Sequence, residues 1–134
     1  MISVVIPCGS GVEMLLEQLH ALEAATCDEP WEVIVVDNGF SRSEEVGDRL
    51  VRFAQTLPGF TVVPAFDKKG AAYARNIGSA VAKGSKLAFL DADDVADAGW
   101  LEAMSRALDD NAVVASRWDI DLLNEPFMRA ARKN

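Results

Sequence analysis

Short apolar runs alternate with stretches of three-and-four spacing from the first residue onward. Ile2–Pro7 is apolar and is closed by Pro7-Cys8-Gly9-Ser10-Gly11, a loop signal with two glycines. Over residues 12–25, Met14, Leu15, Leu19 and Leu22 recur at helical intervals. Trp31–Val36 is a second apolar strand and ends in Asp37-Asn38-Gly39. Ser41 or Ser43 can cap the next helix, whose apolar stripe is Val46, Leu50, Phe53 and Ala54. Leu57-Pro58-Gly59 stops it, and Phe60–Pro64 reads as a third strand, with Pro64 suiting an edge or an end. After Asp67-Lys68-Lys69-Gly70 an alanine-rich helix runs from Ala71 to Lys83 and ends at Gly84. Its small residues, Ala71, Ala74, Gly78 and Ala82, allow close approach to a sheet or a ligand. Lys86–Leu90 is the fourth strand. A helix over Ala98–Leu108 follows, with Trp100, Leu101, Met104 and Leu108 inward. Ala112–Ala115 predicts a fifth strand, and Pro126–Arg132 a short helix.

Strands alternating with helices predict an α/β domain: a Rossmann-like parallel sheet with right-handed crossovers and helices on both faces. The expected strand order is 3-2-1-4. That order gathers Pro7–Gly11, Asp37–Gly39 and Asp91–Asp94 around one crevice, at the carboxyl ends of the strands where such sheets bind ligands. No repeat, low-complexity tract or linker divides residues 1–134, so one domain is expected.

Composition narrows the chemistry. The net charge of −8, from 13 basic and 21 acidic residues, argues against a general nucleic-acid surface or an anionic-membrane surface. It leaves room for a local phosphate site, because Lys68, Lys69 and Arg75 cluster in sequence. Cys8 and Cys27 are too few for a disulfide framework and lack metal-ligand spacing. His20 is the only histidine, which disfavours a histidine triad or a zinc site. No apolar run reaches membrane-spanning length and the start lacks a basic leader, so a cytoplasmic location is expected.

The candidate chemistry centres on Lys86-Leu-Ala-Phe-Leu-Asp-Ala-Asp-Asp94. An apolar strand there delivers Asp91, Asp93 and Asp94 together at its carboxyl end. Crowded carboxylates repel unless a cation neutralises them, and hard oxygen ligands suit Mg²⁺ or Mn²⁺ bridging to phosphates. The plainer alternative is a strand end followed by a capped turn. Gly9-x-Gly11 lacks the third glycine of a dinucleotide fingerprint, and no Walker lysine follows it. Asp37 can accept hydrogen bonds from a base or a ribose, or can merely organise a turn. Arg75, beside Asn76, can reach a diphosphate bidentately or pair with a nearby acid.

Taken together, Ser3-Val-Val-Ile-Pro7, Glu32-Val-Ile-Val-Val-Asp37-Asn-Gly, Gly70-Ala-Ala-Tyr-Ala-Arg-Asn-Ile-Gly78 and Ala82–Asp94 resemble family 2 glycosyltransferases. Those are inverting, metal-dependent enzymes of the GT-A fold, and the resemblance covers residues 2–116. It implies that Pro7, Cys8 and Asp37 line the base pocket, usually for uridine. It implies that Arg75 holds the nucleotide, that Asp91 lies by the ribose, and that Gly9 and Ala92 belong to the same nucleotide-binding loops. Asp93, with Asp91, would bind the divalent ion, Mn²⁺ or Mg²⁺. The implied partner is a nucleotide-diphosphate sugar, with the acceptor unnamed.

The chain departs from the pattern at Cys8-Gly9-Ser10, where an aromatic or other large residue with an Asn is usual, and at Phe40, which intervenes before Ser41. Family members also continue into an acceptor-binding half that carries the general base. Asp119, Asp121 and Glu125 are the only acids after the expected fifth strand and lack the expected context. The expectation is therefore a nucleotide-sugar-binding portion without that half, with no base assigned and with apolar surface that can promote self-association. Two alternatives stand beside it: a binding fragment without turnover, and a haloacid dehalogenase-type phosphohydrolase, which also places Asp-x-Asp after an apolar strand.

Overall fold

The computed structural model describes residues 1–42 and 46–119. β1 (Ile2–Cys8) and β2 (Trp31–Asp37) are buried along almost their whole length. Their Val and Ile runs put apolar side chains on both faces, as a strand covered on both sides requires. β3 (Thr61–Pro64) and β4 (Lys86–Phe89) flank them and are mostly exposed. The four strands are parallel in the order β3-β2-β1-β4, the order predicted from the alternation.

Helices cover both faces. On one side α1 (Val12–Glu23), α2 (Gly47–Val51), α3 (Phe53–Thr56) and α5 (Trp100–Asp110) pack on Val4, Ile6, Cys8, Val33 and Val35. On the other side α4 (Ala71–Val81) packs on Val5, Ile34 and Val36 through Ala74. Gly78 sets how close α4 comes. A Cβ there would overlap Val5 Cγ1 and lie 2.9 Å from Val36 Cγ2.

The crevice arises where strands stop at different heights. Pairing of β1 with β4 ends at Val5 and Phe89, and the Leu90 N–H still donates to the Val5 carbonyl at 3.1 Å. β1 runs on through Ile6, Pro7 and Cys8, paired only with β2. Backbone groups alternate sides along a strand, so Pro7 faces the side that β4 has already left. Its missing N–H therefore removes no ladder bond.

At the opposite end of the sheet an ion cluster ties α5 to β4. Lys86 Nζ donates to Glu29 at 2.6 Å, pairs with Asp109 at 2.7 Å and donates to the Ser105 carbonyl at 3.0 Å. The N-terminal ammonium also donates to Glu29, at 2.6 Å. Lys86 first, then the ammonium and Ser105, hold the Glu29 carboxyl at about 2, below its ordinary 4.5.

Several expectations shift. The stretch 111–119 forms no strand; Val113 lies open, and among the described residues β4 is an edge. A four-residue run gains little from extending where no partner strand supplies ladder bonds. The single helix expected over Val46–Ala54 is two short pieces that separate at Arg52. Its buried stripe is Val46, Leu50, Phe53 and Leu57, with Ala54 outward. Ser41 lies in a 3-10 turn, Phe40–Arg42, and the residue before α2 is Val46, without a side-chain cap. Met14 is exposed, and the buried residues of α1 are Val12, Leu15, Leu16, Leu19 and Leu22 together with Gln18. On α5 only Leu101 is fully buried among the four residues expected inward, while Trp100, Met104 and Leu108 are partly covered. Ser43, Asp121, Glu125 and the helix expected over Pro126–Arg132 lie outside the described residues.

Candidate functional site

The β2 side of the crevice is tightly built. Asp37, 5% exposed, ends β2. Its Oδ1 accepts the Gly39 N–H at 2.9 Å and the Ser41 N–H at 3.4 Å. The turn-organising role weighed from sequence is therefore real, and it leaves Oδ2 outside those two bonds. Gly39 takes φ 134°, a region that disfavours other residues. Asn38 reaches the opposite way. Its N–H donates to the Cys8 carbonyl at 2.8 Å, and its Nδ2 donates to the carbonyls of Ala65 and, at 2.7 Å, Lys68. Its Oδ1 accepts the Gly70 N–H at 2.8 Å, at the start of α4. One side chain thus joins the β2 loop to the loop that launches Arg75.

Between these walls lies the β1 loop. The Cys8 thiol is buried on the α1 side and donates to the Ser10 carbonyl at 3.4 Å, while Gly9 is exposed. Pro7 is buried at the register position of Val36.

The β4 side is looser. Asp94 N–H donates to the Asp91 carbonyl at 3.2 Å, which closes a turn over Ala92 and Asp93. Asp93 and Asp94 are exposed, and Asp91 and Ala92 are partly covered. Arg75 Nη2 donates to Asp91 Oδ1 at 2.5 Å. Both side chains are more than a third exposed, so this ion pair contributes about 0–1 kcal/mol and can be exchanged for another partner at little cost. Among the described residues no three acidic, His or Cys groups converge as a ready metal cage. The carboxylates of Asp91 and Asp93 nonetheless suit a hard cation that keeps waters and shares a substrate's phosphates, because such ions take only one or two protein carboxylates.

Two hollows lie off the crevice. One, about 310 Å³, opens behind Asp37 between Phe40, Val46, Leu50 and Val62; the other, about 710 Å³, runs along β4 beside Trp100, Met104 and Trp118. Neither contains Arg75, Asp91 or Asp93.

Comparison with known proteins gives this geometry a family. The profile described as Glycosyl transferase family 2 matches residues 3–133. The chain belongs to glycosyl transferase family 2. It is 37% identical over 105 residues to polypeptide N-acetylgalactosaminyltransferase 6 of Mus musculus, covering 76% of this chain and 17% of that protein. It is 32% identical over 103 residues to glycosyltransferase AglE of Haloferax volcanii, covering 75% of this chain and 33% of that protein. The chain thus spans a third or less of these relatives.

Among solved structures, S. aureus TarS 1-349 shares the fold with a TM-score of 0.65 at 23% identity, covering 81% of this chain and 32% of that one. The mannosyltransferase PcManGT from Pyrobaculum calidifontis, solved with GDP-Man and Mn²⁺, has a TM-score of 0.58 at 26% identity, with 70% and 28% covered. Family 2 membership and the shared GT-A architecture set the phosphohydrolase alternative aside. No helix of the described residues is long and apolar enough to cross a membrane.

Two organising residues of the crevice stand outside the candidates drawn from the sequence. By residue type Asn38 looks like a local turn former, whereas its bonds reach Ala65, Lys68 and Gly70. Gln18, fully buried on α1, is the other. Its spacing from Leu15 and Leu22 places it within the apolar stripe, a signal the sequence does carry.

Proposed function

We propose that this chain is the nucleotide-sugar-binding portion of an inverting, metal-dependent glycosyltransferase whose donor is a UDP-sugar. The observation that carries the proposal is the meeting of three loops at the carboxyl ends of β1, β2 and β4, with Asp37 at one wall and the Arg75–Asp91 pair at the other. Asp37 would accept from the base through its second oxygen. Pro7, Cys8 and Gly9 would line the base pocket through a short loop that lets the base approach the backbone. Asp91 and Ala92 would lie by the ribose, and Arg75 would leave or share Asp91 to hold the diphosphate. Asp93, with Asp91, would hold Mn²⁺ or Mg²⁺. When bound, such an ion neutralises charge growing on the leaving diphosphate as the sugar C1–O bond breaks.

The displacement also needs a base to deprotonate the acceptor hydroxyl. We assign neither that base nor the acceptor site to these 134 residues; the chain's spanning a third or less of its relatives is consistent with that division. Binding without turnover by the chain itself is accordingly the second reading. Among the described residues past α5 the only acid is Asp119, on an exposed stretch. Leu87 and Phe89, open on the α4 side of β4, favour self-association of the isolated chain, which sedimentation at rising concentration measures.

Titration of UDP into the chain with and without Mn²⁺, followed by an assay of UDP release from UDP-sugars, tests the proposal. Binding strengthened by Mn²⁺ supports a donor site, and release on top of it supports turnover. Absence of binding in every condition overturns the assignment for this chain.

A further inference from the structure

The loop that carries Asp93 is gripped from two sides of the sheet. Arg75, from α4, takes the Asp91 side chain. From the other face, Gln18 of α1 takes the loop's backbone. Its Oε1 accepts the Ala96 N–H at 2.9 Å, and its Nε2 donates to the Asp91 carbonyl at 3.4 Å. The Ala96 N–H can only donate, so the amide's oxygen must face it and its nitrogen is left for the carbonyl. Gln18 thereby spans Asp91 to Ala96, the segment that contains Asp93 and Asp94. The Asp91 carbonyl it holds also accepts the Asp94 N–H that closes the turn.

Gln18 is 0% exposed and packed in register with Leu15, Leu19 and Leu22, all in the core. A buried amide carries a desolvation cost that an apolar residue of similar length avoids, and it is offset only when both ends are bonded. Both ends here are bonded to this one loop. The cluster that ties α5 to β4 lies at the far end of the sheet, away from this loop.

We propose that Gln18 is the positioning residue of the acidic loop: its amide fixes the Asp91–Ala96 backbone so that Asp93 meets the donor's cation and diphosphate. This rests on the donor-site reading above. An amide does this because it supplies one donor and one acceptor. Methionine supplies neither, and an ionised glutamate would set an oxygen against the Asp91 carbonyl.

The test uses the full chain with Gln18→Met, and Gln18→Glu as a second variant, read in two ways. In Gln18→Met the Ala96 amide is expected to exchange hydrogen about tenfold faster, while amides of Val33 and Val35 keep their protection and report an intact sheet. The gain in UDP affinity on adding Mn²⁺ is expected to fall about tenfold, with metal-free UDP affinity unchanged. Gln18→Glu is expected to keep Ala96 protected through its remaining acceptor and still lose the Mn²⁺ gain. Unchanged Ala96 exchange in Gln18→Met overturns the clamp. Loss of metal-free and metal-dependent affinity together overturns the positioning role in favour of a purely structural one. A wild-type chain that shows no Mn²⁺ gain overturns the donor-site reading and the positioning role with it, and Ala96 exchange then still decides whether the clamp exists.

Discussion

Asp37 and Asp93 stand on opposite walls of one crevice and are held in opposite ways. Asp37 is nearly buried, and one of its oxygens is committed to its own turn. Asp93 is exposed on a turn closed by one backbone bond and gripped through Gln18. The first arrangement is built before any ligand arrives. The second leaves the Asp93 carboxylate exposed, where the proposed cation and diphosphate would give it partners. A wall that reads a base gains from rigidity, because a misplaced acceptor loses its hydrogen bond. A wall that binds a hydrated ion together with its phosphates needs open oxygens, which a closed cage of protein ligands would forbid.

The difference can be broken most severely at Asn38. Its side chain makes three bonds from the β2 loop to Ala65, Lys68 and Gly70. At about 1 kcal/mol for each net bond, Asn38→Ala is expected to cost about 2–3 kcal/mol in urea unfolding. Nucleotide affinity should fall as well, because the loop that leads to Arg75 is released.

A smaller effect on stability comes from the far end of the sheet and serves as a control. Glu29 titrates at about 2 in the folded chain against an ordinary 4.5, chiefly because Lys86 donates to it. A lowered carboxyl contributes stability that is complete above pH 4.5 and drains as pH falls towards 2. Glu29→Gln should remove about 1 kcal/mol at neutral pH and flatten that part of the acid unfolding curve. UDP affinity should not change. A loss of binding in this variant would mean that the two ends of the sheet are coupled.

Asp37→Asn sharpens the contrast, since asparagine keeps an oxygen for the Gly39 and Ser41 N–H groups while the charge is lost. Thermal unfolding should shift by less than about 1 kcal/mol, and UDP affinity should fall with or without metal. Asp93→Asn is expected to be the mildest for the fold, within about 0.5 kcal/mol, because the side chain is exposed.

The parts of this design that follow from local pattern were legible in the chain. Apolar runs gave the four strands, and the alternation with helices gave their order, which brings Pro7–Gly11, Asp37–Gly39 and Asp91–Asp94 to one crevice. What escaped were features decided by distant partners. Ala112–Ala115 has strand-like residues, yet nothing pairs with it among the described residues. Asn38 looks like a turn residue because the carbonyls it bonds lie 27 and 30 positions away. Gln18 is polar and so suggests a solvent face, although the spacing of the leucines around it already predicts burial.

The most direct test is calorimetric titration of UDP, with and without Mn²⁺, into the wild-type chain beside Asp37→Asn and Asp93→Asn. Asp37→Asn is expected to lose binding in both conditions, whereas Asp93→Asn keeps metal-free binding and loses only the Mn²⁺ gain. Equal losses in the two variants, or a Mn²⁺ gain that survives without Asp93, would contradict the division of the crevice into a preformed base wall and an open metal wall.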